Sequence, residues 1–232
     1  MILAAGFGTR LAPLTDTVPK ALVRAGGKPM IDHAVEALSR YGCRLIVVNA
    51  YHHAERLERH FREHAAPVRV VVLREPYILG TGGGILHARE FLDGDAPFLV
   101  HNADVVSDFD LGRLVSAAEE PRVLAALAVQ ERPTDRALLF DDEGVFLGKE
   151  AWFSGSIAGG RAVLKRGFCG IHAIKPALFR LGFETGFSDI FDLYRVAMEG
   201  GWSLRGVEYA GRWWDLGTPG DIERFEASPH LP

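Results

Sequence analysis

Four apolar runs rich in β-branched residues constrain this chain more than any other feature: Arg44 to Asn49 (RLIVVN), Arg69 to Leu73 (RVVVL), Pro97 to His101 (PFLVH) and Val123 to Val129 (VLAALAV). Each is short and apolar throughout, as strands buried on both faces are. Between them, Ile31, Ala34, Val35 and Leu38 fall at helical spacing and end at Gly42, while Ala54, Leu57 and Phe61 mark a second amphipathic helix. Buried strands alternating with amphipathic helices imply a largely parallel sheet with helices on both faces. Beyond residue 130 the character changes. Arg136 to Lys149 reads as a hairpin turning at Asp141 to Gly144, and Val163 to Ile174 and Ser203 to Leu216 add strands that need not be parallel. The expected fold is α/β, a three-layer α/β/α arrangement around a mostly parallel but mixed sheet. No repeat, linker or low-complexity stretch interrupts residues 1–232, so both halves are expected to share one core in a single domain.

The chain's first apolar segment runs straight into Gly6-Phe7-Gly8-Thr9-Arg10, with Lys20 ten residues later. A glycine loop behind a buried strand lets backbone N–H groups approach phosphate oxygens closely, and Arg10 and Lys20 supply the charge that a triphosphate needs. Two commoner phosphate motifs do not fit. Leu11 stands where a dinucleotide fingerprint needs its third glycine, and no Gly-Lys-Ser/Thr ending follows. Alone, such a loop is equally compatible with a tight surface turn.

Other segments carry compatible chemistry. The strand Phe98 to His101 leads through Asn102 and Ala103 to Asp104, and ligands of open parallel sheets gather beyond the C-terminal ends of strands. Asp104 is thus placed to hold Mg²⁺. In Gly211 to Pro219, Asp215 again ends an apolar strand, and Thr218-Pro219 reads as the cap and first turn of a closing helix. A third segment, Glu75 to Ile85, holds Gly80, Thr81, Gly82, Gly83 and Gly84 ahead of a helix carrying Ile85, Ala88, Arg89 and Leu92. Glycines where a helix begins let a flat group lie against the backbone. His52, His53, His60 and His64 read as surface side chains, and the four tryptophans as packing residues.

Composition sets the remaining limits. With 232 residues, 48% of them apolar, the chain can bury a full core, and a net charge of −4 with no basic stretch argues against nucleic acid as a partner. Cys43 and Cys169 form no CxxC, and both read as buried thiols in a reducing compartment. The apolar start lacks a basic n-region, and no run approaches a membrane span, so a soluble cytoplasmic protein is expected.

The string LAAGFGTRLAPLTDTVPKALV, continued through Gly27-Lys28-Pro29, resembles the signature of sugar-1-phosphate nucleotidyltransferases, LAAGxGTRLxPLTxxxPKxLxxxxGKP. The segments around Asp104 and Asp215 are similar to that family's LxxNGDxxxD and W-x-D-x-G-T motifs, with Ala103 in place of a glycine. The resemblance implies a Rossmann-like nucleotide-diphospho-sugar transferase fold whose first half, 1–130, binds nucleotide and whose second, 131–232, binds sugar. It implies a nucleotide site of Leu3, Ala4, Ala5, Gly6, Gly8, Thr9, Arg10, Lys20, Glu75, Gly80, Thr81 and Gly82. Asp104 and Asp215 would hold Mg²⁺, with Arg10 and Lys20 completing the catalytic set. For the sugar phosphate it points to Asn102, Lys149, Glu150, Lys165 and Gly170, although neither Lys149 nor Lys165 is followed by the family's proline.

The implied reaction passes a nucleoside monophosphate from UTP or GTP to a sugar-1-phosphate. Within the family, Thr81 to Ile85 and Gly167 to Ile171 with Pro176 to Phe179 look most similar to N-acetylmuramate-1-phosphate uridylyltransferases. Compact mannose-1-phosphate guanylyltransferases share much of this. A cytidylyltransferase and a silent nucleotide-sugar-binding subunit are the other readings, the latter disfavoured because Arg10, Lys20, Asp104 and Asp215 are all present. A monomer or small homo-oligomer is expected.

Overall fold

A computed structural model describes residues 1–153 and 163–228. The first half runs β1 (Ile2–Leu3), β2 (Arg24–Ala25), β3 (Lys28–Pro29), α1 (Met30–Tyr41), β4 (Leu45–Ala50), α2 (Ala54–Glu63), β5 (Arg69–Arg74), α3 (Gly80–His87), α4 (Arg89–Leu92), β6 (Phe98–Asn102), β7 (Val105–Ser107), α5 (Leu111–Glu119) and β8 (Val123–Gln130). The second half adds β9 (Leu138–Phe140), β10 (Phe146–Lys149), β11 (Leu164–Ile174), α6 (Ile190–Glu199), β12 (Ser203–Glu208), β13 (Trp213–Asp215) and α7 (Pro219–Glu226).

The four buried runs form adjacent or near-adjacent strands. β1 pairs in parallel with β4 and β6, and β4 pairs in parallel with β5. The 11-residue β11 then enters antiparallel between β6 and β8, and β12 adds in parallel to β8. The other end of β11 carries the β9–β10 hairpin. The sheet is therefore mixed, parallel in its first half and antiparallel around β11. Because β11 is inserted between strands of the first half, the sheet runs unbroken through both halves.

Alternation along the strands explains the layers. Ile46, Val48, Leu99, Ala126 and Ala128 face a cluster built with Ile31 and Leu38 of α1, Leu57 of α2 and Leu114 of α5. Val47, Val100, Leu127 and Val129 face the opposite side, where Ile85 of α3 and Ile190 and Tyr194 of α6 cover them. Gly42 adopts φ 105° and takes up the last carbonyls of α1, which is why that helix stops there.

Two expectations need correcting. Ser203 to Leu216 is not continuous strand: β12 stays in the main sheet, whereas β13 leaves it to pair antiparallel with β7. The glycine cluster is not a loop ahead of a helix. Gly80 to Gly84 form the first turns of α3 itself, and Gly82, Gly83 and Gly84 are buried there. The reason is close packing: a Cβ on Gly82 would lie 2.8 Å from Ser188 Oγ, one on Gly84 2.8 Å from Asn49 Nδ2, and one on Gly83 would overlap Gly186 O. These glycines let α3 settle onto the 186–189 segment.

Candidate active site

The segment after β1 is folded by three short 3₁₀ turns, Thr9–Leu11, Leu14–Asp16 and Lys20–Leu22, around the fully buried Leu11. Gly8 takes φ 68°, and a Cβ there would lie 2.8 Å from Lys20 Cβ, so this turn needs glycine. Thr15 Oγ1 donates to Gly8 O at 3.0 Å, closing the loop. The fold-back brings Lys20 under the same loop as Arg10.

A cavity of about 340 Å³ opens at this point, within the size range of small-molecule sites. It lies beyond the C-terminal ends of β1, β4 and β6, the position parallel sheets favour for ligands. The loop supplies one wall through Leu3, Ala4, Ala5, Gly6, Gly8 and Thr9. Gly80 and Thr81 supply another, and Arg10, Lys20, Asn102 and Asp104 also line it.

Lys20 Nζ forms an ion pair with Asp104 Oδ2. Asp215 reaches the same place by another route: it sits opposite Val105 in the β13–β7 ribbon, and Leu216 N donates to Asp104 O at 2.8 Å. Arg10 lies against Gly217, where a Cβ would come within 2.6 Å of Nη2. Arg10, Lys20, Asp104 and Asp215, distant in sequence, are thereby gathered at one end of the sheet.

The two carboxylates differ. Asp215 has its proton affinity raised, first by burial and then by the charge of Asp104, against the opposing pull of Lys20 and Arg10. Its Oδ1 is buried and accepts no hydrogen bond. An orphaned carboxylate oxygen beside a second carboxylate is the donor set that a hard divalent cation requires, with substrate oxygens to fill its remaining positions. No cluster of three or more candidate ligands occurs among the described residues.

The raised affinity has a stability consequence. Ionised Asp215 is disfavoured in the fold, so its contribution is most favourable below the unfolded value near 3.8 and is lost as pH rises through the higher folded value. Asp215→Asn is therefore expected to raise Tm at pH 7 in metal-free buffer, with the gain vanishing as pH approaches 4. A thermal melt series across that window checks it, and a lower Tm at pH 7 would contradict the burial argument.

Glu75 lies apart from the cavity lining. It is buried, its Oε1 accepting from Asn49 Nδ2 at 2.7 Å and its Oε2 from Leu79 N at 3.0 Å. Asn49 Oδ1 in turn accepts from Ala4 N at 2.8 Å. Asn49 itself lines the cavity, as does Ile78, and neither was expected. The one sequence signal was a polar amide closing an otherwise apolar strand. Gly82 also turns away, its N donating to Ser188 O at 2.8 Å.

The sugar-side candidates separate. Gly170 (φ 73°) abuts Asn102, since a Cβ there would lie 2.8 Å from Asn102 Nδ2. Lys149 Nζ stands 3.3 Å from Asp189 Oδ1 and 4.7 Å from the centre of the Phe191 ring. Lys165 and Glu150 pair with one another at the surface. Trp152, Trp202, Trp213 and Trp214 pack at the margins of the hydrophobic clusters, and both cysteines are free. No helix among the described residues is long and apolar enough to cross a membrane.

Comparison with known proteins agrees with this geometry. Residues 1–138 match the family model described as nucleotidyl transferase. The N-acetylmuramate alpha-1-phosphate uridylyltransferase of Caulobacter vibrioides is 34% identical over 94% of this chain and 91% of its own length. The mannose-1-phosphate guanylyltransferase catalytic subunit beta of Danio rerio is 32% identical over 96% of this chain, which spans 62% of that protein. Among solved structures, HddC from Yersinia pseudotuberculosis superposes with a TM-score of 0.77 at 20% identity, covering 97% of each chain. A UTP-bound UGPase from Acinetobacter baumannii also gives 0.77, at 18% identity over 97% of this chain and 90% of the other. With the phosphate loop, the paired aspartates and the matched fold together, the chain belongs to the nucleotidyl transferase family and is a sugar-1-phosphate nucleotidyltransferase.

Proposed function

We propose that this enzyme moves a uridylyl group from UTP to N-acetylmuramate-1-phosphate or a related hexose-1-phosphate, with Mg²⁺ as its metal, in the cytoplasm, as a monomer or small homo-oligomer. The observation that carries the reaction is the presence of Arg10, Lys20 and Asp104 in the lining of one cavity, with Asp215 close enough to feel the charge of all three. The choice of base and sugar is supported by the Caulobacter relative, whose match spans nearly its whole length.

The chemistry needs little beyond placement. An oxygen of the sugar phosphate attacks the α-phosphorus in line, and pyrophosphate leaves. That nucleophile is already an anion near neutral pH, so the chain needs no general base, and positioning with charge neutralisation suffices. The Gly6 to Gly8 backbone cradles the triphosphate, Arg10 balances the departing charge, and Lys20 stands between the nucleotide phosphates and the incoming sugar phosphate. Asp104 and Asp215 would hold Mg²⁺, which when bound would supply Lewis acidity to the phosphoryl transfer. Thr81 and Gly80 serve the nucleotide side. Asn102 and Gly170 serve the sugar phosphate, with Lys149 the nearer match of the two lysine candidates by its order in the chain.

Guanylyl transfer to mannose-1-phosphate is the second reading, favoured by the Danio rerio relative and others of that name. Pyrophosphate release measured with UTP, GTP, CTP, ATP and thymidine triphosphate against a panel of sugar-1-phosphates separates them. Turnover is expected with UTP and N-acetylmuramate-1-phosphate. Release with GTP and mannose-1-phosphate alone would replace the first reading by the second, release only with CTP would make it a cytidylyltransferase, and no release with any pair would leave a silent binding subunit.

A further inference from the structure

Arg132 follows β8 and is used by nothing described so far. Its guanidinium carbon lies 4.2 Å from the centre of the Trp213 ring. On Gly167, a Cβ would sit 2.6 Å from both Cζ and Nε of Arg132 and 2.9 Å from Nη2, near-equal distances that place it over the flat face of the guanidinium. Gly167 is thus glycine because the cation lies against its backbone. Contact with an indole and with a bare backbone holds the guanidinium plane fixed.

Its donor edge is only partly used. Nη2 donates to Phe168 O at 2.9 Å, while Nε is buried and has no partner. Among the described residues no carboxylate pairs with Arg132. The nearest acid in sequence, Glu131, faces Arg166, which also holds Glu208. A fixed guanidinium whose charge no carboxylate among the described residues matches presents its remaining outer N–H groups to a planar anion, while the buried Nε keeps the plane from turning freely.

Its place in the fold says which anion. Trp213 and Asp215 lie two residues apart on one face of β13, about 7 Å by strand rise. Trp213 Nε1 donates to Cys169 O at 2.8 Å, and the next residue, Gly170, abuts Asn102 of the cavity. Arg132 therefore stands outside the cavity lining, against the residue two places before Asp215 and beside the Cys169–Gly170 segment that borders Asn102. We infer that Arg132, braced between Trp213 and Gly167, is a specificity residue that receives a carboxylate borne on the sugar of the sugar-1-phosphate substrate.

This rests on the proposed function for the position of the sugar, and it deepens it: N-acetylmuramate carries such a carboxylate on its lactyl ether, whereas N-acetylglucosamine is the same ring without it. The test compares kcat/KM for these two sugar-1-phosphates, with whichever nucleotide the enzyme accepts, in wild type, Arg132→Met and Arg132→Lys. Wild type is expected to favour the carboxylated sugar by about tenfold or more, as for a charge-assisted pair made only with that substrate. Arg132→Met is expected to collapse the ratio through KM for the carboxylated sugar, with kcat little changed, and Arg132→Lys to recover part of it. Turnover of N-acetylmuramate-1-phosphate with an unchanged ratio in both variants would overturn the role of Arg132 and leave the proposed function standing. A ratio that collapses in an enzyme found to use GTP would do the reverse. Equal losses for both sugars in both variants, or a wild type with no preference, would also overturn it.

Discussion

Asp104→Asn and Asp215→Asn each lower turnover by about 10²-fold or more, in a protein that keeps its circular dichroism spectrum and its cooperative melt. The magnitude follows from what these carboxylates are placed to do. In the proposed mechanism catalysis has no covalent step and no general base, so the barrier is lowered mainly by fixed charge at the reacting phosphates, and loss of one such element typically costs two to three orders of magnitude. The two variants differ in their secondary effects. Asp104 is the ion-pair partner of Lys20, so its loss also frees that lysine. Asp215 lacks a hydrogen bond at Oδ1, and burial raises its proton affinity and so disfavours its ionised form, so its loss relieves the fold. Asp215→Asn should be slower and more heat-resistant together, whereas Asp104→Asn should be slower without that gain. Near-normal turnover in both would sink the metal assignment, and matching Tm shifts would sink the distinction between them.

Gly83→Ala is expected to be strongly destabilising, although alanine is ordinarily the better helix former by about 1 kcal/mol. The sign reverses because the added methyl would overlap Gly186 O, a backbone atom that cannot rotate away. Either α3 or the 186–189 segment must shift, and overpacking of this kind costs about 1–3 kcal/mol, or about 2–4 °C of Tm per kcal/mol in a chain of this size. The displacement reaches the cavity, since Thr81 Oγ1 accepts from Ile190 N at 2.9 Å and Thr81 lines the nucleotide side. KM for the nucleotide should therefore rise along with the loss of Tm. Gly94→Ala is the control: a Cβ there meets nothing within 4 Å, and its Tm should stay within about 1 °C of wild type. A Gly83→Ala protein as stable as the Gly94→Ala protein would show that the close approach is not required.

Sequence period and turn chemistry were enough to read β4, β5, β6, β8, α1 and α2, because buried strands and amphipathic helices leave their spacing in the residues themselves. The placing of Asp104 beside the glycine loop was legible as well, since it follows a strand on the ligand side of a parallel sheet, whereas Asp215 ends a strand outside that sheet and was joined to it only by the motif resemblance. What escaped was set by tertiary contact. Gly82, Gly83 and Gly84 look like an open loop until the 186–189 segment is laid against the first two and Asn49 and Glu75 against the third. Glu75 looks like a nucleotide-site residue until both of its oxygens are found in use. Asn49 and Arg132 carry no local signal that distinguishes them from any other polar residue beside a strand, and their roles come from partners 26 to 45 and 36 residues away in sequence.

The chain of hydrogen bonds from Ala4 through Asn49 and Glu75 to Leu79 links the ends of three successive strands to the start of α3. In mechanical terms it is a cross-tie. A force applied where a phosphate meets the glycine loop is carried sideways, through buried polar contacts, to the opposite wall of the cavity. The two walls are thus coupled before any ligand arrives, and a substitution at Glu75, which lies outside the cavity lining, would loosen the grip at a distance while leaving the lining residues unchanged.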